Sequence, residues 1–87
     1  IRFHGTNLSG HDFSNTYLQN MQFNGANLSG VNFSHSDLRY ADLSGANIKG
    51  ANFTDAKIKY MNVRGAIYDS TTKIPKSFIR GKYMERR

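Results

Sequence analysis

The chain contains no cysteine, which excludes disulfide staples and thiolate metal sites and leaves the redox compartment open. No apolar run approaches the roughly 20 residues that a membrane-spanning helix needs, and no signal-peptide pattern is visible near the start. Acidic residues are scarce, with six against twelve Lys and Arg and a net charge of +6. That deficit is local. Through Leu38, Arg2 faces Asp12 and Asp37 for a balance of −1; from Arg39 onward eleven basic residues face Asp42, Asp55, Asp69 and Glu85 for a balance of +7. At 87 residues the chain is at most one small domain, near the size where a single globular core is marginal. Ile1 stands where Met would open a complete chain, already inside the pattern described next, which points to a processed protein or a piece of a larger one.

What the sequence has is a phrase repeated at a fixed interval. Phe3, Leu8, Phe13, Leu18, Phe23, Leu28, Phe33, Leu38, Leu43, Ile48, Phe53, Ile58 and Val63 stand five residues apart, thirteen centres without a slip. On an α-helix a five-residue step rotates an apolar residue by about 140°, so no stripe forms. On a flat strand the odd spacing alternates faces. The period keeps every centre inside only if the chain bends once per repeat. Two residues before each centre the side chain is usually small, as at Thr16, Ala26, Ser36, Ala41, Ala46, Ala51 and Ala66, and these positions are expected to point inward. So is His11, as a core-edge residue. The residue between is nearly always polar, often Asn or Asp, and faces water.

A longer period lies over the first: "FHGTNLSGHDFSNTYLQ" aligns with "FNGANLSGVNFSHSDLR" at an offset of twenty. Four bends per turn close a square, with residue n under residue n+20 at the roughly 4.8 Å spacing of β-ladders. Numbering the walls from Phe3, this stacks Phe13, Phe33 and Phe53 on wall three and Phe3 and Phe23 on the opposite wall one. The phrases "GANLSG", "YADLSGANIKGANF" and "NVRGAIYD" resemble the pentapeptide-repeat family. The resemblance covers residues 1 to about 68 and implies an all-β fold, a right-handed quadrilateral parallel β-helix of about three coils. The handedness comes from the family.

Seven glycines recur at two of the four corners, where Gly supplies the positive φ of a type II turn. The other corners carry Asn15, His35 and Asp55, or Asn20, Tyr40 and Tyr60. A Tyr is strained in such a turn, so that last corner is expected to use a different one. The five-residue period breaks after Tyr68, which divides the chain into a repeat domain over residues 1–68 and a C-terminal cap and basic tail over 69–87. Tyr68, Ile74, Pro75 and Phe78 are expected to cover the last coil, with a short irregular or helical segment beyond.

No catalytic set, cofactor site or metal site is expected. His4, His11 and His35 fall on three repeat positions and cannot converge on a metal. Ser9, Ser14, Ser29, Ser34 and Ser44 are surface residues of the repeat without a His and Asp behind them. The sequons at Asn7, Asn27, Asn32 and Asn52 are generated by the repeat, and the Asn columns are expected to form stacked amide ladders. The most suggestive surface is wall four. There Arg39 lies under Lys59, Tyr40 under Tyr60 and Asp37 under Lys57, with Lys49 and Arg64 on neighbouring walls. Basic residues interleaved with tyrosines suit acidic or phosphate-rich partners. The plainer alternative is a stacked Tyr pair at a bulky corner, solubilising charges, and a weak Asp37–Lys57 ion pair. Arg39, Tyr40, Lys49, Lys57, Lys59, Tyr60 and Arg64 are the candidate binding residues.

The expected role is a non-enzymatic scaffold or protein–protein interaction module, the use the family has in larger proteins such as bacterial effectors and adaptors. A nucleic acid or anionic surface bound by the basic second half is the alternative. Some members of the family mimic DNA and bind DNA gyrase, but that mechanism needs a negative rod and this chain is positive. A homo-oligomer joined through the coil ends is a further expectation.

Overall fold

Each five-residue unit lays down one extended rung and one corner, and the rungs stack. The computed structural model describes residues 3–75 together with the backbone of residues 85–86. Parallel bridges run Asn7–Asn27–Asn47–Ile67 on wall two, Asp12–Asn32–Asn52–Lys73 on wall three, Tyr17–Asp37–Lys57 on wall four and Gln22–Asp42–Asn62 on wall one. The offset is twenty throughout, except at the last bridge of wall three. Each rung is held from both sides: Leu8 N–H donates to Asn27 O (2.9 Å) and Asn27 N–H to Thr6 O (2.9 Å). With one bridging residue between corners, a rung is too short to become a strand. The strands among the described residues are β1 (Ile67–Tyr68) and β2 (Glu85–Arg86), paired in parallel with Ile67 opposite Glu85. No helix among the described residues is long and apolar enough to cross a membrane.

The interior follows the five-residue pattern. Phe23, Leu28, Phe33, Leu38, Leu43, Ile48 and Phe53 are fully buried, with Ala26, Val31, Ala41, Ala46 and Ala51 beside them. Phe13, Phe33 and Phe53 stack in one column, with ring centroids 5.8 and 5.2 Å apart and planes tilted by 13° and 17°. Across the lumen Phe23 meets Phe33 edge-on at 5.8 Å. Such offset and edge arrangements add to burial because each ring's positive edge meets a negative face. Burial of all thirteen centres does not hold at the ends. Nine are buried, whereas Phe3, Phe13, Ile58 and Val63 are half-buried packing partners. His11 is exposed with its ring 6.0 Å from that of Phe13, outside the core edge where the pattern places it. Ser36, the buried polar residue, donates its hydroxyl to Phe33 O (2.7 Å).

The Asn columns do not form amide ladders. Each side chain instead turns to its own backbone: Oδ1 of Asn7, Asn27, Asn32, Asn47, Asn52 and Asn62 accepts the N–H two residues on, at 2.9 to 3.1 Å. Asp12, Asp37 and Asp42 do the same. The N–H so bonded sits at the start of a corner, where the ladder offers it no carbonyl. This local bond explains the repeat's preference for Asn or Asp at that position.

All four corners use a left-handed residue. Gly30 and Gly50 have φ of 68° and 73°, and Tyr40 and Tyr60 have 66° and 64°. The tyrosine corner is therefore no different in kind, contrary to the expectation from steric strain.

Beyond the last five-residue repeat, Tyr68 keeps phase as a buried wall residue. One extra residue then enters: Asn52 bridges to Lys73, and Phe53 N–H donates to Lys73 O (2.9 Å). Thr72 holds the widened corner, accepting from Asp69 N–H and Gly50 N–H and donating to Ile48 O (3.0 Å). Ile74 consequently packs against the core as the next wall residue of the coil. Phe78 and the segment expected to follow it lie outside the described residues.

Candidate functional site

On wall four the residues facing outward differ from those the coil elsewhere uses. Tyr17 and Lys57 occupy positions where Asn or Asp would cap the following corner, and Tyr40 and Tyr60 occupy corner positions that are Gly on two other edges. The backbone beneath remains a regular ladder, with Asp37 N–H on Thr16 O (2.9 Å), Lys57 N–H on Ser36 O (2.9 Å) and Leu38 N–H on Lys57 O (2.7 Å). These side chains are thus carried on a braced surface.

Tyr17, Tyr40 and Tyr60 are the exposed large hydrophobic residues of the described chain, at 69%, 55% and 66%. Tyr40 and Tyr60 stack one coil apart, with centroids at 5.2 Å and planes tilted by 23°. Lys59 lays its ammonium over the Tyr60 ring, 5.4 Å from the centroid, within cation–π range.

Below this stack is a connected polar chain. Arg39 grips Asp37 with two donors, Nε to Oδ1 (2.9 Å) and Nη2 to Oδ2 (2.7 Å). Gln19 Nε2 donates to the same Oδ2 (2.9 Å), and Gln19 Oε1 accepts from the Tyr17 hydroxyl (2.8 Å). The Arg39 hydrogen bonds outweigh burial and hold the Asp37 carboxyl well below the ordinary carboxylate range. Asp37 in turn raises the Arg39 guanidinium. Asp37 therefore pairs with Arg39, two residues on, and not with Lys57. Among the described residues Lys57 and Lys59 have no carboxylate within salt-bridge distance.

The candidate residues divide by position. Arg39, Tyr40, Lys57, Lys59 and Tyr60 come together on wall four and the edge that leaves it. Arg64 follows Val63 on adjoining wall one. Lys49 follows Ile48 on wall two, opposite wall four, and does not share the surface. Tyr17 and Gln19 join the cluster although the charge pattern did not single them out. Their signal was the column Tyr17, Asp37, Lys57, in which a Tyr replaces a corner-capping residue. The three histidines stay apart: Asn24 Nδ2 donates to His4 Nδ1 (2.7 Å), His11 lies on Phe13, and His35 faces Asp55 at 3.8 Å.

A family of repeats described as Pentapeptide repeats (8 copies) matches residues 1–34, 18–55 and 32–67. A search of curated proteins found no match. Among solved structures the chain superposes on a pentapeptide repeat protein of the Arabidopsis thaliana thylakoid lumen with a TM-score of 0.81 at 26% identity, over 86% of this chain and 52% of that one. It also superposes on the pentapeptide repeat protein Rfr23 of the cyanobacterium Cyanothece 51142, with a TM-score of 0.73 at 27% identity, over 85% and 57% of the two chains. A third, from Nostoc PCC 7120, gives 0.56 at 26% identity and covers all of this chain and 81% of its own. The chain thus spans little more than half the length of the first two. The shared fold is the right-handed four-sided β-helix.

Proposed function

Because this chain belongs to the pentapeptide-repeat family, we infer that it is a non-enzymatic scaffold or protein–protein interaction module whose working surface is wall four. The observation that carries this is the gathering of the three tyrosines exposed among the described residues with Lys57 and Lys59 on one braced wall. Aromatic residues that are large, stiff and half-polar contribute contact at low entropic cost, which suits an interface. Arg39 and Tyr40 belong to this surface and Arg64 flanks it, whereas Lys49 marks the opposite face.

A second reading is a nucleic acid or an anionic surface bound by the basic second half, supported by the +7 balance from Arg39 onward. The test is affinity capture with the immobilised chain, its wall-four variant Tyr40→Asn with Tyr60→Asn, and the opposite-face variant Lys49→Gln. A protein retained by the wild type and by Lys49→Gln, but lost from the wall-four variant, supports the reading. Retention unaffected by the wall-four changes overturns it. Duplex DNA retarded in a gel, with affinity falling steeply as salt rises, favours the second reading.

A further inference from the structure

We propose that wall four is the docking surface for an extended acidic segment of another protein, with Lys57 and Lys59 receiving its carboxylates and Tyr17, Tyr40 and Tyr60 flanking it. This rests on the interaction-module reading and gives it a partner chemistry.

Several positions where the chain forgoes what the coil prefers gather here, alongside single departures at Gln22 on wall one, Ile67 on wall two and the His35 corner. At Tyr17 and Lys57 it gives up the side-chain acceptor that caps the next corner elsewhere. At Tyr40 and Tyr60 it places bulky residues at φ of 66° and 64°, a region costly to side chains without a local hydrogen bond. Asn20 occupies the same corner column at φ 62°, so a residue suited to the turn fits there. Strain held at an exposed site points to use of the side chain.

Charge separates the surface into two parts. Arg39 is committed to Asp37, and the chain from Asp37 through Gln19 to the Tyr17 hydroxyl holds that lower part fixed. Lys57 and Lys59 are the cations left for a partner. They stand two residues apart, about 6 to 7 Å along extended backbone, which matches alternate side chains of a β-like segment. Nucleic acid fits less well. Tyr40 and Tyr60 turn faces to each other and Lys59 covers Tyr60, so this pair offers bases less open ring face than three free tyrosines would. Two lysines are also few against the phosphate contacts that sustain non-specific DNA binding.

The test is binding of a labelled oligoglutamate peptide to the full chain at low salt, beside single-stranded DNA of equal charge. Lys57→Gln with Lys59→Gln is expected to weaken the peptide about tenfold, equivalent to about 1.4 kcal/mol, within what two exposed charge contacts supply together. Tyr40→Asn with Tyr60→Asn is expected to weaken it without lowering the melting temperature. Lys49→Gln, and a tail variant with Lys76, Arg80 and Lys82 changed to Gln, are expected to stay within about twofold. An equal loss in either control overturns the proposal, as does tighter binding of DNA that is lost with the same wall-four changes. A Tyr-to-Asn variant that melts earlier and binds unchanged assigns the stack to stability and also overturns it. If the peptide ignores the lysine changes while a captured protein still depends on Tyr40 and Tyr60, the acidic-segment proposal falls and the interaction reading stands.

Discussion

Walls two and four face each other across the same core and are built to different rules. Wall two uses what the coil itself requires: Asn7, Asn27 and Asn47 each accept the N–H that opens the next corner, and Gly10, Gly30 and Gly50 turn that corner. Wall four has Tyr17, Asp37 and Lys57 in the first role and Asn20, Tyr40 and Tyr60 in the second. Both ladders keep the same offset and rung hydrogen bonds of 2.7 to 3.0 Å, while the corner bonds lengthen from 2.9 Å at Gly10 and Gly30 to 3.2 and 3.3 Å at Asn20 and Tyr40. The interior and the backbone therefore set the geometry, and the outward residues are free to serve something else. In a solenoid each coil touches only its neighbours, so this freedom can be exercised on one wall without disturbing the others.

The comparison fails first if the interior does not govern both walls. Phe33 is fully buried with Phe13 and Phe53 on either side. Phe33→Ala is expected to cost about 3 to 5 kcal/mol in urea unfolding. Asn32→Ala, one residue away and outward, loses one hydrogen bond and is expected to cost about 1 kcal/mol. Equal losses would remove the distinction between core and wall.

A sharper test exchanges corners. A Cβ at Gly30 would meet only ordinary contacts, the nearest being Gly10 N at 3.9 Å, so space does not forbid a side chain there. What opposes it is φ of +68°. Gly30→Ala is expected to cost about 1 to 2 kcal/mol through backbone strain alone. The reverse change on wall four, Tyr60→Gly, relieves similar strain but loses the stack on Tyr40, worth about 0.5 to 1.5 kcal/mol, so its net effect is expected to lie near zero. A large loss at Tyr60→Gly would mean the tyrosine stack is built into the stability of the coil.

A smaller effect is expected at the corner caps. Lys57→Asn supplies the acceptor missing at that coil of wall four and is expected to raise stability by about 0.5 to 1 kcal/mol. Asn27→Ala on wall two removes such an acceptor and is expected to lower it by a similar amount. Thermal unfolding of both variants checks the pair.

Periodicity made the interior legible, because one apolar residue every five can be buried only by a coil that closes in four, and the like-on-like Phe columns chose the offset. The corners were less so. Propensity argues one residue at a time, whereas Tyr40 and Tyr60 are held by each other and by a backbone whose turn is already imposed. Stacking Asn over Asn suggested amide ladders, but the N–H two residues along is nearer than the next coil's amide. Local reach also decided the partner of Asp37, since Arg39 begins the adjoining corner and folds back on it. The extra residue before Lys73 is invisible to a strict five-residue count, although Ile74 resumes the pattern one step late. At the surface, charge found Lys57 and Lys59 but overlooked Tyr17, whose meaning depends on what its column would otherwise contain.

The smallest expected effect concerns pH, and it too separates the walls. Wall two has amides at the corner caps of Asn7, Asn27 and Asn47 and meets a carboxylate only at Asp69 in its last coil, whereas wall four is braced in its middle coil by the Asp37 carboxylate. Hydrogen bonds from Arg39 hold that carboxyl below its ordinary value, and bonds from Ser14 and Thr71 lower Asp12 and Asp69 likewise. A group depressed on folding contributes stability that is fully present above its unfolded value, near 3.9, and is lost as pH falls through the folded value. The chain is therefore expected to hold its stability from neutral pH down to about 4 and to lose it progressively below. Asp37→Asn is expected to be less stable than the wild type at neutral pH and to show a shallower decline in acid, so that the two converge. Asn27→Ala on wall two is expected to lower stability by the same amount at every pH. Urea unfolding across the acid range measures both, and a decline in Asp37→Asn as steep as in the wild type would place the acid-sensitive brace somewhere other than wall four.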